Sequence, residues 1–215
     1  IIGNAVSNTA PSNLISGTLT FPENQVTGTV VGEFNATDPD AGATITYSLV
    51  SGAGDGNNSL FLLDTNGTLK TAVTFNFESN ASSYAVRLEA KDEYNASIEG
   101  NFTVLLTNIN ELPVIISNGA GGTASINLAE NQTNVTTVQG SDPESSSLVY
   151  SITGGADQAS FTVNGATGSL QFRSTPNFES PSDSDSNNTY IVEVTVTDSG
   201  GLTDPQAITV TVIDV

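Results

Sequence analysis

The sequence predicts an all-β protein built as two tandem Greek-key β-sandwich domains. Three observations predict it. Apolar residues alternate with period two in many short runs, the pattern of strands with one face in a core. Clusters of Gly, Asn, Asp and Ser separate the runs about every ten residues, as turns do. An ordered set of acidic motifs occurs twice, with copies about 101 to 107 residues apart (Asn76 to Asn177, Glu23 to Glu130). Two copies in 215 residues give two domains, each large enough to bury a core without cross-links.

Residues 1–12 (IIGNAVSNTAPS) read as the tail of a preceding linker. Pro22-Glu23-Asn24 follows the first strand, and Asp38-Pro39-Asp40 comes next. Tyr47 (TITYSL) and Tyr150 (LVYSIT) occupy matched runs and are expected in the core or at a corner. Asp64-Thr65-Asn66-Gly67 is a turn, with Asp64 as its cap. Asn76-Phe77-Glu78 precedes the run Tyr84-Val86-Leu88-Ala90, whose neighbour is Phe102-Val104-Leu106; Lys91-Asp92 lies between them. The connector Asn108-Ile109-Asn110-Glu111-Leu112-Pro113 follows. Pro113 fixes its own φ and restricts the residue before it, so the connector is extended. The expected domains are 1–112 and 113–215.

The second copy repeats the order with Ala129-Glu130-Asn131, Asp142-Pro143-Glu144, Asn177-Phe178-Glu179, Thr197-Asp198 and Ile213-Asp214. Its paired runs are Val192-Val194-Val196 and Ile208-Val210-Val212. Its turns are Asn164–Gly168 and Asp198–Gly201. The tract Ser180–Thr189 (SPSDSDSNNT) interrupts this copy. Asp183, Asp185 and Asn187 put oxygens on alternate residues there, as calcium loops do, but the glycine and later glutamate of an EF-hand are missing. A solvated hairpin loop is the other reading of the tract.

Composition removes several function classes. Cys, His, Met and Trp are absent, so the chain has no thiol nucleophile, no imidazole base and no nitrogen or sulfur site for zinc. A metal here must be hard and oxygen-bound. The net charge is −19, with Lys70, Arg87, Lys91 and Arg173 as the cations. Nucleic acid and anionic membrane surfaces both need a basic face, so neither is an expected partner. Such a charge strains the compact state by self-repulsion. Solubility in a salty medium explains it, and so does neutralisation by divalent cations; the positions of the acids favour the cations. They recur at segment ends beside asparagines, which suits a shared cation better than the paired carboxylates of a glycosidase. The chain is therefore expected not to be an enzyme. No stretch resembles a signal peptide or a membrane span. The expectation is a fragment of a longer extracellular or cell-surface array, secreted or anchored by segments outside it.

Calcium takes six to eight oxygens, more than one short loop supplies. Loops of a sandwich cluster at its two ends, so several can contribute to one ion.

Taken together, the ordered motifs resemble two tandem cadherin repeats, of the bacterial cadherin-like kind found in large surface proteins. The resemblance spans essentially the whole chain and implies an immunoglobulin-like sandwich in each copy. It implies that Ca2+ at the inter-domain joint is held by Glu23 and Glu78, by the connector residues Asn108, Ile109, Asn110 and Glu111, and by Asp142, Glu144 and Asp198. Asp38, Asp40 and Asp92 would serve a joint with a preceding module. Glu130, Glu179 and Asp214 would serve the next one, with Asp183 and Asp185 as additional candidates. Three departures remove charge or change shape: Asn76 and Asn177 replace aspartate, Asn108 stands first in the connector, and Glu144 closes the second D-x-D. Binding is therefore expected to be weak, about 10⁻⁴ to 10⁻³ M. The implied function is structural, calcium stiffening a multi-domain rod that contacts neighbouring repeats of its own chain. The alternative is a calcium-dependent polysaccharide-binding or homophilic adhesion module.

Overall fold

The computed structural model describes residues 7–215, so 1–6 of the expected linker tail lie outside the described residues. The chain divides into two compact units at the Ile109–Asn110 bond. Both are β-sandwiches, in line with the fold class expected from the sequence.

The first unit contains β1 (Ser12–Ser16), β2 (Thr20–Pro22), β3 (Val30–Thr37), β4 (Thr46–Leu49), β5 (Phe61–Leu63), β6 (Thr68–Thr71), β7 (Ser83–Lys91) and β8 (Ser97–Thr107). One sheet has the order β1-β3-β6-β5 and the other β2-β8-β7-β4. β1 and β2 are consecutive yet lie in different sheets, β2 running parallel to β8. The chain thus crosses between layers early and ties them together. The longest pair, β7 and β8, sets Tyr84 opposite Val104, Val86 opposite Phe102 and Ala90 opposite Ile98. Period-two burial follows from the pleat: Tyr84, Val86, Leu88 and Ala90 face inward, and the residues between them do not. Burying side chains such as Val86 or Leu88 stabilises by about 1.5–3 kcal/mol each. Phe21, Phe61, Phe75 and Tyr84 form an aromatic group within this core, with centroids 4.9–6.1 Å apart.

The second unit contains β9 (Val114–Ile115), β10 (Thr123–Ala129), β11 (Asn134–Thr137), β12 (Gly140–Ser141), β13 (Val149–Gly154), β14 (Phe161–Val163), β15 (Ser169–Phe172), β16 (Thr189–Thr197) and β17 (Thr203–Ile213). Its sheets are β10-β17-β16-β13, β11-β15-β14 and the short pair β9-β12. β10 runs parallel to β17, as β2 does to β8. Tyr190, Val192, Val194 and Val196 of β16 meet Ile208, Val210 and Val212 of β17 in the core. Helix is confined, among the described residues, to the single 3-10 turns Asn58–Leu60 and Gln158–Ser160, at matched places in the two units.

The matched tyrosines are core residues with one polar task, as expected. The Tyr47 hydroxyl accepts the Ala36 N–H at 2.8 Å, and the Tyr150 hydroxyl accepts the Gly140 N–H at 2.9 Å. Each rests beside a glycine with positive φ, Gly67 (+95°) or Gly168 (+71°). A Cβ there would stand 2.5 Å from the Phe34 carbonyl or 2.0 Å from that of Val138, so only glycine closes these turns without displacing backbone.

Candidate functional site

The acidic motifs collect at the strand ends, and each unit repeats the same construction. Glu23 directly follows β2, Glu78 precedes β7, and Asn108 directly follows β8. Asp38 and Asp40 follow β3, and Asp92 follows β7. β7 has nine residues, so about 30 Å of strand separates the Glu78 end of the unit from the Asp92 end. Each unit therefore carries two acidic groups, one at either end.

At the first of these ends, Glu23 is fully buried. Its Oε2 accepts the Phe77 N–H at 2.6 Å, and its Oε1 accepts the Ile109 N–H at 2.9 Å. Its own N–H donates to the Thr107 carbonyl at 3.1 Å. Asn24 takes φ +58° and returns its N–H to Phe75 O at 2.8 Å, which directs the glutamate inward. Asparagine tolerates that left-handed conformation at low cost, which is why Glu-Asn recurs as a pair. Glu23 and Glu78 hold carboxylate oxygens within 4.8 Å of each other. One end of the Asn108 carboxamide reaches both, 2.7 Å from Glu23 Oε1 and 3.0 Å from Glu78 Oε1, and only with its nitrogen at that end does it donate to them.

The second unit repeats this end. Glu130 is buried, accepts the Phe178 N–H at 3.1 Å and donates its N–H to Ile213 O at 3.0 Å. Asn131 has φ +64°. Glu130, Glu179 and Asp214 bring one carboxylate oxygen each within 4.8 Å of the others. Asn76 and Asn177, which replace the expected aspartates, serve as turn caps: their Oδ1 atoms accept Ser79 N–H at 2.9 Å and Ser180 N–H at 3.0 Å.

At the opposite end of the second unit, Asn110 Nδ2 donates to Asp198 Oδ2 at 2.7 Å, and the Glu111 N–H donates to Glu144 Oε1 at 3.0 Å. Asp198 Oδ1 accepts the Leu202 N–H at 2.8 Å, so the turn expected at Asp198–Gly201 and the acidic cluster share one carboxylate. Burial would raise the Asp198 carboxyl, but the Asn110 amide and the Leu202, Gly201 and Gly200 N–H groups outweigh it and hold it below the ordinary aspartate range. Asp142 is buried; its Oδ1 accepts the Ser146 N–H at 3.0 Å.

The first unit has the same arrangement at its Asp92 end. Asn8 Nδ2 donates to Asp92 Oδ2 at 2.8 Å, and the Thr9 N–H donates to Asp40 Oδ2 at 2.7 Å. Asp92 Oδ1 accepts Tyr94 and Ala96 N–H groups at 2.8 and 2.9 Å. Burial works against these bonds, yet with the Asn8 amide they keep Asp92 below the ordinary range. Asn8 and Thr9 thus dock as Asn110 and Glu111 do. They were absent from the sequence-derived ligand set, although the signal was there: Asn8 to Asn110 has the period of the acidic motifs.

The donor set fits a hard cation. Asp38 Oδ2, Asp142 Oδ2 and Glu144 Oε2 are buried and receive no hydrogen bond. A buried carboxylate oxygen left so is costly unless a cation meets it. All side-chain candidates offer oxygen, as calcium requires.

Asp183 and Asp185 belong to a different construction. Asp183 is buried, with Oδ2 accepting Asn187 N–H at 2.7 Å and Oδ1 accepting Asn188 N–H at 3.2 Å. Burial raises its carboxyl, but the Asn187 N–H and a side-chain hydrogen bond with Asp185 prevail and leave it lowered. Asp185 is raised, chiefly by that same bond. Asp157 fastens the loop to the sheet, accepting Ser184 N–H at 2.7 Å and Ile191 N–H at 2.8 Å. These carboxylates are occupied in shaping the loop, and the tract is not the solvated hairpin loop of the other reading: β15 and β16, which it links, lie in different sheets, and Asp183 is buried.

Comparison with known proteins matches the family model for the cadherin domain twice, over residues 18–108 and 124–213. The Cadherin EGF LAG seven-pass G-type receptor 3 of Mus musculus is 29% identical over 198 residues, covering 87% of this chain and 6% of the receptor. The Homo sapiens receptor of the same name is 28% identical over the same length and coverage. The chain thus spans a small part of these curated relatives. Halomucin of Haloquadratum walsbyi is 55% identical over 38 residues, 18% of this chain. Among solved structures, human protocadherin-24 EC1-2 superimposes with a TM-score of 0.66 at 20% identity, covering 97% of this chain and 100% of that one. The extracellular cadherin domains 3-6 of protocadherin gamma B2 give 0.62 at 19% identity, covering 98% of this chain and 53% of that one. These two likenesses concern the fold.

Proposed function

This chain belongs to the cadherin-domain family, with two domains in tandem, and from that premise we propose that it is a calcium-stiffened segment of an extracellular rod. The observation that carries the reading is the repeated end construction, with carboxylate oxygens buried and left without hydrogen bonds. The Glu23–Glu78–Asn108 group ends one unit, and the Asn110–Glu111–Asp142–Glu144–Asp198 group begins the other. A single peptide bond, Ile109–Asn110, joins them in the sequence. Calcium would supply a divalent charge that six to eight oxygens share. The residues' part is to hold those oxygens ready. Glu23 is fixed by two backbone N–H groups, Asp142 and Asp198 by turns of their own loops, and Glu144 by the Glu111 N–H. With no counter-charge, like charges at the two groups repel and leave the connector loose. With one, the connector is held at both ends.

The Asp38–Asp40–Asp92 and Glu130–Glu179–Asp214 groups would serve joints with further domains. The relatives support a surface setting: the mouse and human proteins are seven-pass receptors. Contact with neighbouring cadherin domains, in the same chain or another copy, is the partner class that fits; one similar structure is a protocadherin cis-dimer. The polysaccharide reading has no comparable support, since Tyr47, Tyr84, Tyr150 and Tyr190 are buried and Tyr94 is the one exposed tyrosine. The reading is non-enzymatic throughout.

Small-angle X-ray scattering in EDTA and then in about 5 mM calcium, several times the expected dissociation constant, tests it. The expected result is a narrower, more extended pair-distance distribution with calcium. Superimposable profiles, with no heat of calcium binding by calorimetry, would end the proposal.

A further inference from the structure

The connector's first residue, Asn108, does something an aspartate could not. One end of its carboxamide lies 2.7 Å from Glu23 Oε1 and 3.0 Å from Glu78 Oε1. The two ends of a carboxamide have nearly the same shape and opposite hydrogen-bonding character. With oxygen inward, it stands 2.7 and 3.0 Å from two carboxylate oxygens with no proton among the three, an arrangement that requires a cation. With nitrogen inward, each carboxylate receives one of the two N–H groups. Glu23 cannot make the adjustment itself. It is fully buried, and both its oxygens are already held by the Phe77 and Ile109 N–H groups. Glu78 and Asn108 are exposed, and rotation of an exposed carboxamide about its last bond is easy.

We propose that Asn108 is a two-position switch: its nitrogen faces Glu23 and Glu78 in the ion-free protein, and its oxygen turns inward when calcium loads. The inference rests on the calcium reading above and adds a role for the ion-free state. The amide supplies the positive end of a dipole where the ion's charge would otherwise be needed. The Glu23–Glu78 pair therefore stays assembled in the first unit without metal. Aspartate at 108 would bring another carboxylate to the pair, gaining a charged ligand and losing the ion-free bridge. Charge count raises calcium affinity in such sites, so asparagine here exchanges affinity for an ion-independent domain end.

The test uses the full chain and its Asn108→Asp and Asn108→Ala variants, by calorimetric melting in EDTA and in calcium. In EDTA, Asn108→Asp is expected to lower the first unit's melting temperature by about 5 °C, and Asn108→Ala by about half as much. In calcium, the gap between wild type and Asn108→Asp should close or reverse, with about tenfold tighter calcium binding for the variant. In 15N spectra, the Asn108 side-chain NH2 pair, assigned by its loss in Asn108→Asp, should exchange slowly with water in EDTA and quickly in calcium. Equal melting of all three proteins in EDTA, with calcium still stabilising each, would overturn the switch and leave the calcium reading standing. No gain from calcium in any of the three, whatever their order in EDTA, would overturn the calcium reading and the switch with it.

Discussion

Replacing Glu23 with alanine should destabilise the first unit even with no metal present. Glu23 is wholly buried, and two backbone donors depend on it: Phe77 N–H at 2.6 Å and Ile109 N–H at 2.9 Å. A buried donor that loses its acceptor costs about 1–3 kcal/mol, toward the upper figure for a charged acceptor. Ile109 is 40% exposed, so water can take over that N–H and its share is discounted. Relief of repulsion between Glu23 and Glu78 returns a little more. The net loss is about 2–3 kcal/mol, which for a domain of this size lowers melting by on the order of 10–20 °C. Glu130→Ala is the internal comparison. Glu130 accepts the Phe178 N–H at 3.1 Å, one backbone donor where Glu23 holds two. Its removal should cost about 1 kcal/mol. Differential scanning calorimetry in EDTA reads both variants, each against the transition of its own unit; with no tryptophan in the chain, heat is a better signal than fluorescence. A shift below about 4 °C for Glu23→Ala, or a larger one for Glu130→Ala, would refute the view that Glu23 holds its domain end together.

Two further predictions concern the same geometry. Tyr47→Phe and Tyr150→Phe should each cost about 1–2 kcal/mol in urea unfolding, because the Ala36 and Gly140 N–H groups lose their acceptors while the rings stay packed; changes below about 0.3 kcal/mol would contradict this. Asp198 lies below the ordinary aspartate range in the folded protein, so its stabilisation is complete above the unfolded-state pKa and is lost as pH falls through the lower folded-state value. Asn110→Ala removes the leading hydrogen bond that lowers it and should move the Asp198 titration, read by carboxyl 13C shifts, to higher pH; an unchanged midpoint would sink that assignment.

Much of the fold was readable because strand burial has a period of two. The run Tyr84-Val86-Leu88-Ala90 could only be one face of a strand, and all four residues are in the core. The paired tyrosines were readable as core residues for the same reason. Gln206 shows where such reading stops. It is polar and yet fully buried in β17, because its amide donates to Gly121 O at 2.9 Å and its Oε1 accepts from Asn118 at 3.2 Å. Those partners are distant in sequence, and no local pattern marks them. Asn8 and Thr9 were missed as docking residues for a different reason: the reading followed acids, and the parts that hold Asp92 and Asp40 are an amide and a backbone N–H.

Repetition and chemistry were therefore settled by the sequence. Without histidine or cysteine the candidate side chains could only be oxygen donors, and the period of the acids tied each to its counterpart. Tertiary structure alone decided what each oxygen does. A carboxylate at a strand end looks the same in sequence whether it closes a turn, as Asp183 does, or keeps a buried oxygen free of hydrogen bonds, as Asp142 and Glu144 do. The difference is the number of backbone N–H groups the folded loop points at it, and that number exists only once strands distant in sequence have paired.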